Sequence, residues 1–96
     1  MSLPPPVNKE FDVIGLGVSP LDVITLVDHF PTHDEVQRAS AVMLQGGGPV
    51  ATAMVALARL GAKVAMLDAL GDDWRGDLIR EEFRREGVAP TTLNWK

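Results

Sequence analysis

Cysteine is absent from this chain of 96 residues. That excludes a disulfide framework and any thiol chemistry, and it leaves a reducing compartment open. Positive charge is scarce too. Nine Lys and Arg stand against thirteen Asp and Glu, a net charge of −4. The bases are scattered, apart from one helical segment where acids alternate with them. A nucleic-acid surface needs a concentrated positive face, so that class is excluded. No apolar run approaches the roughly 18 residues of a membrane span. The first residues lack the long apolar core of a secretory signal. Their Pro4-Pro5-Pro6 run predicts a flexible arm over residues 1–10, and a cytoplasmic location is the default. The Gly-x4-Gly-Lys-Ser/Thr pattern of a phosphate-cradling loop is also missing.

The most informative stretch is QGGGPVATAMVALARLG, residues 45–61. A glycine-rich turn runs into a helix that is apolar nearly all round. Pro49 suits a first helical position, where its missing N–H costs nothing. Gly61 suits the left-handed residue after the last turn. The glycines before Pro49 allow close approach of another molecule to a helix end whose free amides carry partial positive charge. An oxygen-rich ligand fits that description; so does a plain tight turn. Thr52 and Arg59, seven apart, share one stripe of the helix. Thr52 either faces a ligand or bonds a carbonyl one turn back, while Arg59 reads as a surface residue.

Around that stretch the elements alternate. Residues 11–18 (FDVIGLGV) read as a buried parallel strand stopped by Pro20. Residues 23–27 and 36–44 are two further β-like runs about the turn signal Pro31-Thr32-His33-Asp34, and they predict a hairpin or flap. Helix one covers about 49–60 and a strand comes next over 64–70. Helix two is expected with Asp72 as N-cap, an apolar stripe of Trp74, Leu78, Ile79 and Phe83, and Gly87 as its stop. Glu81–Arg85 and Glu82–Arg85 are spaced for surface ion pairs. Residues 91–96 open another β-like segment. The pattern is α/β. Two helices over two or three strands leave a face or edge bare, so the chain reads as the N-terminal part of a larger domain.

Three segments, in order, resemble the ribokinase-like (PfkB) carbohydrate kinases. Residues 47–61 (GGPVATAMVALARLG) are similar to that family's N-terminal signature. Gly17-Val18-Ser19-Pro20-Leu21-Asp22 resembles the end of its first strand, and Leu70-Gly71-Asp72-Asp73-Trp74-Arg75-Gly76 its Gly-Asp-Asp-x-x-Gly turn. The resemblance runs from about residue 11 to the end. It implies the N-terminal part of a ribokinase-like (Rossmann-like) three-layer α/β/α domain over 11–96. A small β-sheet lid, at about 22–44, is inserted after the first strand, and a lid strand from 91 is a further expectation. It also implies transfer of a phosphoryl group from ATP, with Mg2+, to a hydroxyl of a sugar or sugar derivative, and a homodimer formed through the lid.

Position by position, the resemblance assigns substrate binding to Asp22, Gly47, Gly48 and Thr52. Asp22 matches a carboxylate that accepts bonds from sugar hydroxyls, and Gly47 and Gly48 match a glycine pair whose backbone approaches the sugar. Thr52 stands where many members carry a sugar-contacting asparagine. Pro20 and Pro49 replace an asparagine and a lysine of ribokinases proper, which points away from ribose and toward another polyol. Gly71, Asp72, Asp73 and Gly76 are expected to shape a turn. The family's Gly-Ala-Gly-Asp segment, which carries the catalytic base, is absent, as are the ATP and metal sites. The chain alone is therefore expected to be inactive. Two other readings stay open: a non-catalytic interaction or dimerisation fragment, and a dinucleotide-binding module based on Gly15-Leu16-Gly17, which lacks the third glycine and the required helix.

Overall fold

The computed structural model describes residues 9–92. Mostly apolar runs form a three-stranded parallel sheet from β1 (Val13–Leu16), β4 (Val64–Asp68) and β5 (Val88–Thr92), in the order β1-β4-β5. Register runs Val13 to Val64 to Val88 across the three strands. β4 lies at the centre, and Val64, Ala65 and Met66 on it are almost fully buried. Parallel neighbours need a crossover, and α1 (Pro49–Arg59) and α2 (Trp74–Arg85) supply one each. Both helices pack on the same face of the sheet: Ala51, Met54, Ile79 and Phe83 meet Val64, Met66 and Val88 in one core. Ile14 and Leu16 alternate to the other face, where they are 62% and 70% exposed.

Two glycines set how closely α1 lies on β1. A Cβ at Gly15 would stand 2.7 Å from Met54 Cγ, and one at Gly17 would stand 2.9 Å from Val50 Cβ. The Gly-x-Gly of the first strand is thus a packing surface for α1. The next element along the chain is a strand, not the helix that a dinucleotide site requires.

Between β1 and α1 the chain forms a separate antiparallel hairpin, β2 (Leu21–Leu26) with β3 (Ala41–Gly46). Its loop is held by Glu35, whose carboxylate accepts from the Thr32 N–H at 2.7 Å and pairs with His29 Nε2 at 2.6 Å. Asp34 takes the left-handed conformation there, φ 59°.

Helix ends obey local chemistry. Pro49 occupies the first turn of α1 as expected. Gly61 at φ 98° closes that helix, with Gly61 N–H donating to Ala58 O and Ala62 N–H to Leu57 O. Gly87, φ 79°, ends α2.

Several sequence expectations shift. The first strand is shorter than 11–18, and the central one stops at Asp68 rather than residue 70. The second lid run starts at Ala41, not 36, because residues 35–39 make no strand pairing with β2. The N-cap of α2 is Asp73, not Asp72: Asp73 Oδ1 accepts from the Gly76 N–H at 3.0 Å. Trp74 is not part of the buried stripe; it is 56% exposed, with the Arg75 guanidinium 5.3 Å from its ring centre. Arg84, not Arg85, pairs with Glu81, and Glu82, half-buried, turns to the Gly46 N–H instead. Thr91 and Thr92 complete β5 in the main sheet. The remainder of the lid strand expected from 91, and the arm over residues 1–8, lie outside the described residues.

Candidate functional site

The site grows from the place where β1, the hairpin and α1 meet. After β1 the chain passes Ser19, only 7% exposed, and Pro20 before entering β2. β3 returns antiparallel, so Leu21 lies opposite Gly46 and Asp22 opposite Gln45. The chain then makes the Gly46-Gly47-Gly48 turn into α1. The Gly47 N–H donates to Pro20 O at 2.9 Å, which ties the two ends of the hairpin together.

Each glycine of this turn has a steric reason. A Cβ at Gly47 would collide with the Asp22 carboxylate, whose Cγ would be only 3.0 Å away. Gly48 has φ 95°, and a Cβ there would also meet the Val18 carbonyl oxygen and Pro20 Cδ. A Cβ at Gly46 would stand 2.9 Å from Glu82 Oε2. Gly48 is the N-cap of α1 and offers no side chain to the open amides; Thr52 N–H is the amide that closes onto Gly48 O, at 3.0 Å.

The four residues assigned by resemblance fall unevenly. Asp22 is exposed on β2, with its carboxylate against Gly47 and no hydrogen-bond partner among the described residues. Gly47 and Thr52 line a common cavity of about 240 Å³ between α1 and α2, with Ser19, Gly46, Arg59 and Glu82 also on its wall. Asp22 and Gly48 are not in that lining. One expectation needs correcting. The Gly47 N–H is not free for a ligand, because Pro20 O already accepts it. What Gly47 contributes is the missing side chain that lets Asp22 lie against the backbone.

The far end of the cavity is closed by Arg59 and Glu86, paired through Nε–Oε2 at 2.8 Å and Nη2–Oε1 at 2.6 Å. Hydrogen bonds from Arg59 hold the Glu86 carboxyl below the usual range for a glutamate. Arg59 is therefore committed to α2 rather than to a ligand.

Two residues on the cavity wall, Glu82 and Ser19, were not read as site residues from the sequence. Glu82, half-buried on α2, accepts from the Gly46 N–H at 2.6 Å. Its position between Ile79 and Glu86 on the helical wheel was the available signal: an acid on the flank of a buried stripe. Ser19 Oγ and Asp68 Oδ2 are buried and have no partner among the described residues. Nothing in local sequence pattern marks either of them.

Known proteins share this fold and sequence pattern. The sequence profile of the pfkB family carbohydrate kinases matches residues 9–96. Over 88 residues the chain is 28% identical to the ketohexokinase of Mus musculus, covering 92% of this chain and 30% of that protein. It is 34% identical over 79 residues to the ribokinase of Haemophilus influenzae, covering 82% of this chain and 26% of the relative. Among solved structures, a microbiome-derived acarbose kinase superposes with a TM-score of 0.78 at 25% identity, over 88% of this chain and 29% of that one. The chain thus spans between about a quarter and a third of the length of these proteins. By sequence profile and by fold, this chain belongs to the PfkB family of carbohydrate kinases.

Proposed function

We propose that this segment supplies part of the sugar-binding site and the lid of an ATP-dependent carbohydrate kinase, in which Asp22, Gly48 and Thr52 meet the sugar and Gly47 shapes the wall. The observation that carries this reading is the Asp22 carboxylate, without a hydrogen-bond partner among the described residues, lying against Gly47 in the glycine turn. An ionised carboxylate only accepts hydrogen bonds, and its two oxygens suit two adjacent hydroxyls. Gly48 brings backbone within reach of a ligand, and Thr52 adds a hydroxyl that donates or accepts. The hairpin stands over this corner as a cover that excludes water when sugar is bound.

The phosphates of ATP do not fit here. Asp22 places negative charge at the glycine turn, no basic side chain lies between Gly46 and Thr52, and Arg59 is taken by Glu86. No group of three or more His, Asp or Glu suited to a metal ion exists among the described residues. This segment binds and orients the neutral acceptor, and the cytoplasmic phosphoryl-transfer chemistry belongs to the rest of the parent enzyme. The chain alone does not phosphorylate.

The test uses the full-length polypeptide that carries this segment, with D-ribose, D-fructose and 2-deoxy-D-ribose in an ATP-consumption assay, and calorimetry on the best sugar. Asp22→Ala should weaken sugar binding roughly 10- to 100-fold, the effect of losing charge-assisted hydrogen bonds, with ATP affinity within about twofold. Unchanged sugar affinity removes Asp22 from the site.

A second reading concerns the hairpin's other face. Val23, Val42 and Leu44 share it and are 63%, 61% and 44% exposed. That apolar patch suits pairing of two lids in a homodimer, with or without catalysis. Light scattering of the wild type and of Val23→Lys/Leu44→Lys reads it; an unchanged mass removes it.

A further inference from the structure

The hairpin is joined covalently to the main layer at two points, before Leu21 and after Gly46, and α2 is the element that packs most against it. At that contact the Glu82 carboxylate accepts from the Gly46 N–H at 2.6 Å, across 36 positions of sequence. Gly46 is the last residue of β3, opposite Leu21 and next to the Asp22–Gln45 pair. It is also the first glycine of the turn that leads to Gly47 and Gly48. The Glu82 carboxylate is half-buried on the cavity wall with Ile79 and Phe83, where the backbone N–H of Gly46 gives it a charge-assisted bond. A Cβ at position 46 would stand 2.9 Å from Oε2, so the carboxylate would have to shift to keep the bond. With Gly47 N–H bound to Pro20 O, these two bonds fix both strands of the hairpin's base.

We infer that Glu82 is a positioning residue for the sugar site: it anchors the base of the lid to α2 and so sets where Asp22 stands relative to the glycine turn. The effect is indirect, because Glu82 holds Gly46, Gly46 holds the register of Leu21 and Asp22, and Asp22 meets the sugar. Loss of the anchor frees the hairpin to rotate about the Gly46–Gly48 turn, and sugar binding must then restore the geometry at the expense of affinity. Once sugar is bound and the lid is in place, the transfer step is unaffected. This inference rests on the sugar-site reading above for its functional consequence, but not for its structural one.

The experiment compares Glu82→Ala and Glu82→Gln with wild type in the full-length polypeptide. Hydrogen–deuterium exchange reads the lid anchor directly. Glu82→Ala should speed exchange in the peptide covering 41–48 and leave β4 and the C-terminal half of α1 unchanged. Steady-state kinetics with the best of D-ribose, D-fructose and 2-deoxy-D-ribose should show the sugar KM raised roughly 10-fold or more, consistent with loss of one charge-assisted bond. The kcat and the KM for ATP should stay within about twofold. Gln retains a carbonyl oxygen at the same reach, so Glu82→Gln should recover sugar KM to within about threefold of wild type. Unchanged exchange at 41–48, or exchange raised equally in β4 and α1, overturns the anchor. Equal losses in kcat and in both KM values, or a Gln variant as impaired as Ala, overturn its positioning role. If the wild type consumes ATP with none of these sugars, those three are removed as acceptors, and the exchange measurement still decides whether Glu82 anchors the lid.

Discussion

Arg59 and Glu86 join the C-terminal ends of α1 and α2 by two parallel bonds, Nε–Oε2 at 2.8 Å and Nη2–Oε1 at 2.6 Å. This fork geometry is the strong form of a surface ion pair. Glu86 is held below its ordinary value of 4.5 chiefly by the Arg59 hydrogen bonds. Its folded-state pKa is depressed, so its stabilisation is present above pH 4.5 and is lost as pH falls through the lower folded value. Glu35, lowered by the Thr32 N–H, and Asp12, lowered by the Lys63 N–H, act in the same direction. Urea midpoints should therefore be flat from pH 7 to about 5 and fall below 4.5, and Glu86→Gln should shallow that fall. An identical acid slope in Glu86→Gln would remove the pair from the pH response.

Gly15→Ala should destabilise the protein by about 1–3 kcal/mol, the usual cost of forcing an added methyl into a packed core. The new Cβ would lie 2.7 Å from Met54 Cγ and 3.0 Å from Val50 Cγ1, so α1 must lift from β1. Met54 is flexible and absorbs part of the strain. Pairing Gly15→Ala with Met54→Ala should therefore recover some of the loss, and a double-mutant cycle measures it.

Gly76→Ala should cost more, about 2–4 kcal/mol, because the clash there is with backbone. A Cβ at position 76 would run into the Gly71 carbonyl oxygen, which Arg80 Nη2 also holds at 3.1 Å. Chemical denaturation reads the difference. A cost below that of Gly15→Ala would show that the 71–76 turn shifts easily.

The two adjacent aspartates before α2 should behave differently. Asp73→Ala removes the bond to the Gly76 N–H and should cost about 1 kcal/mol, as helix N-caps do. Asp72→Ala removes no bond among the described residues and should stay within about 0.5 kcal/mol of wild type. Equal effects would mean that the cap is shared between them.

Much of the architecture was legible because its causes lie within a few residues of one another. Pro49 and Gly61 bracket α1 through fixed φ and left-handed φ, and Gly87 stops α2 in the same way. The apolar runs around Val13 and Val64 specify parallel strands, whereas β5 starts at Val88, ahead of the β-like segment read from residue 91. Where local signals tied, the sequence was ambiguous: Asp72 and Asp73 are equal as caps until the Gly71 carbonyl packs against Gly76.

The candidate site divides along the same line. Its residue types, a carboxylate at Asp22 and bare backbone at Gly47 and Gly48, are written in one dimension, and the resemblance to a kinase family comes from their order. Only the folded chain decided that Pro20 O takes the Gly47 N–H and that Glu82 turns inward to Gly46 instead of pairing with Arg85. Those choices join positions distant in sequence, or pair a half-buried carboxylate with a backbone donor. No periodicity or spacing rule carries that information, because such a bond exists only after β3 and α2 have packed.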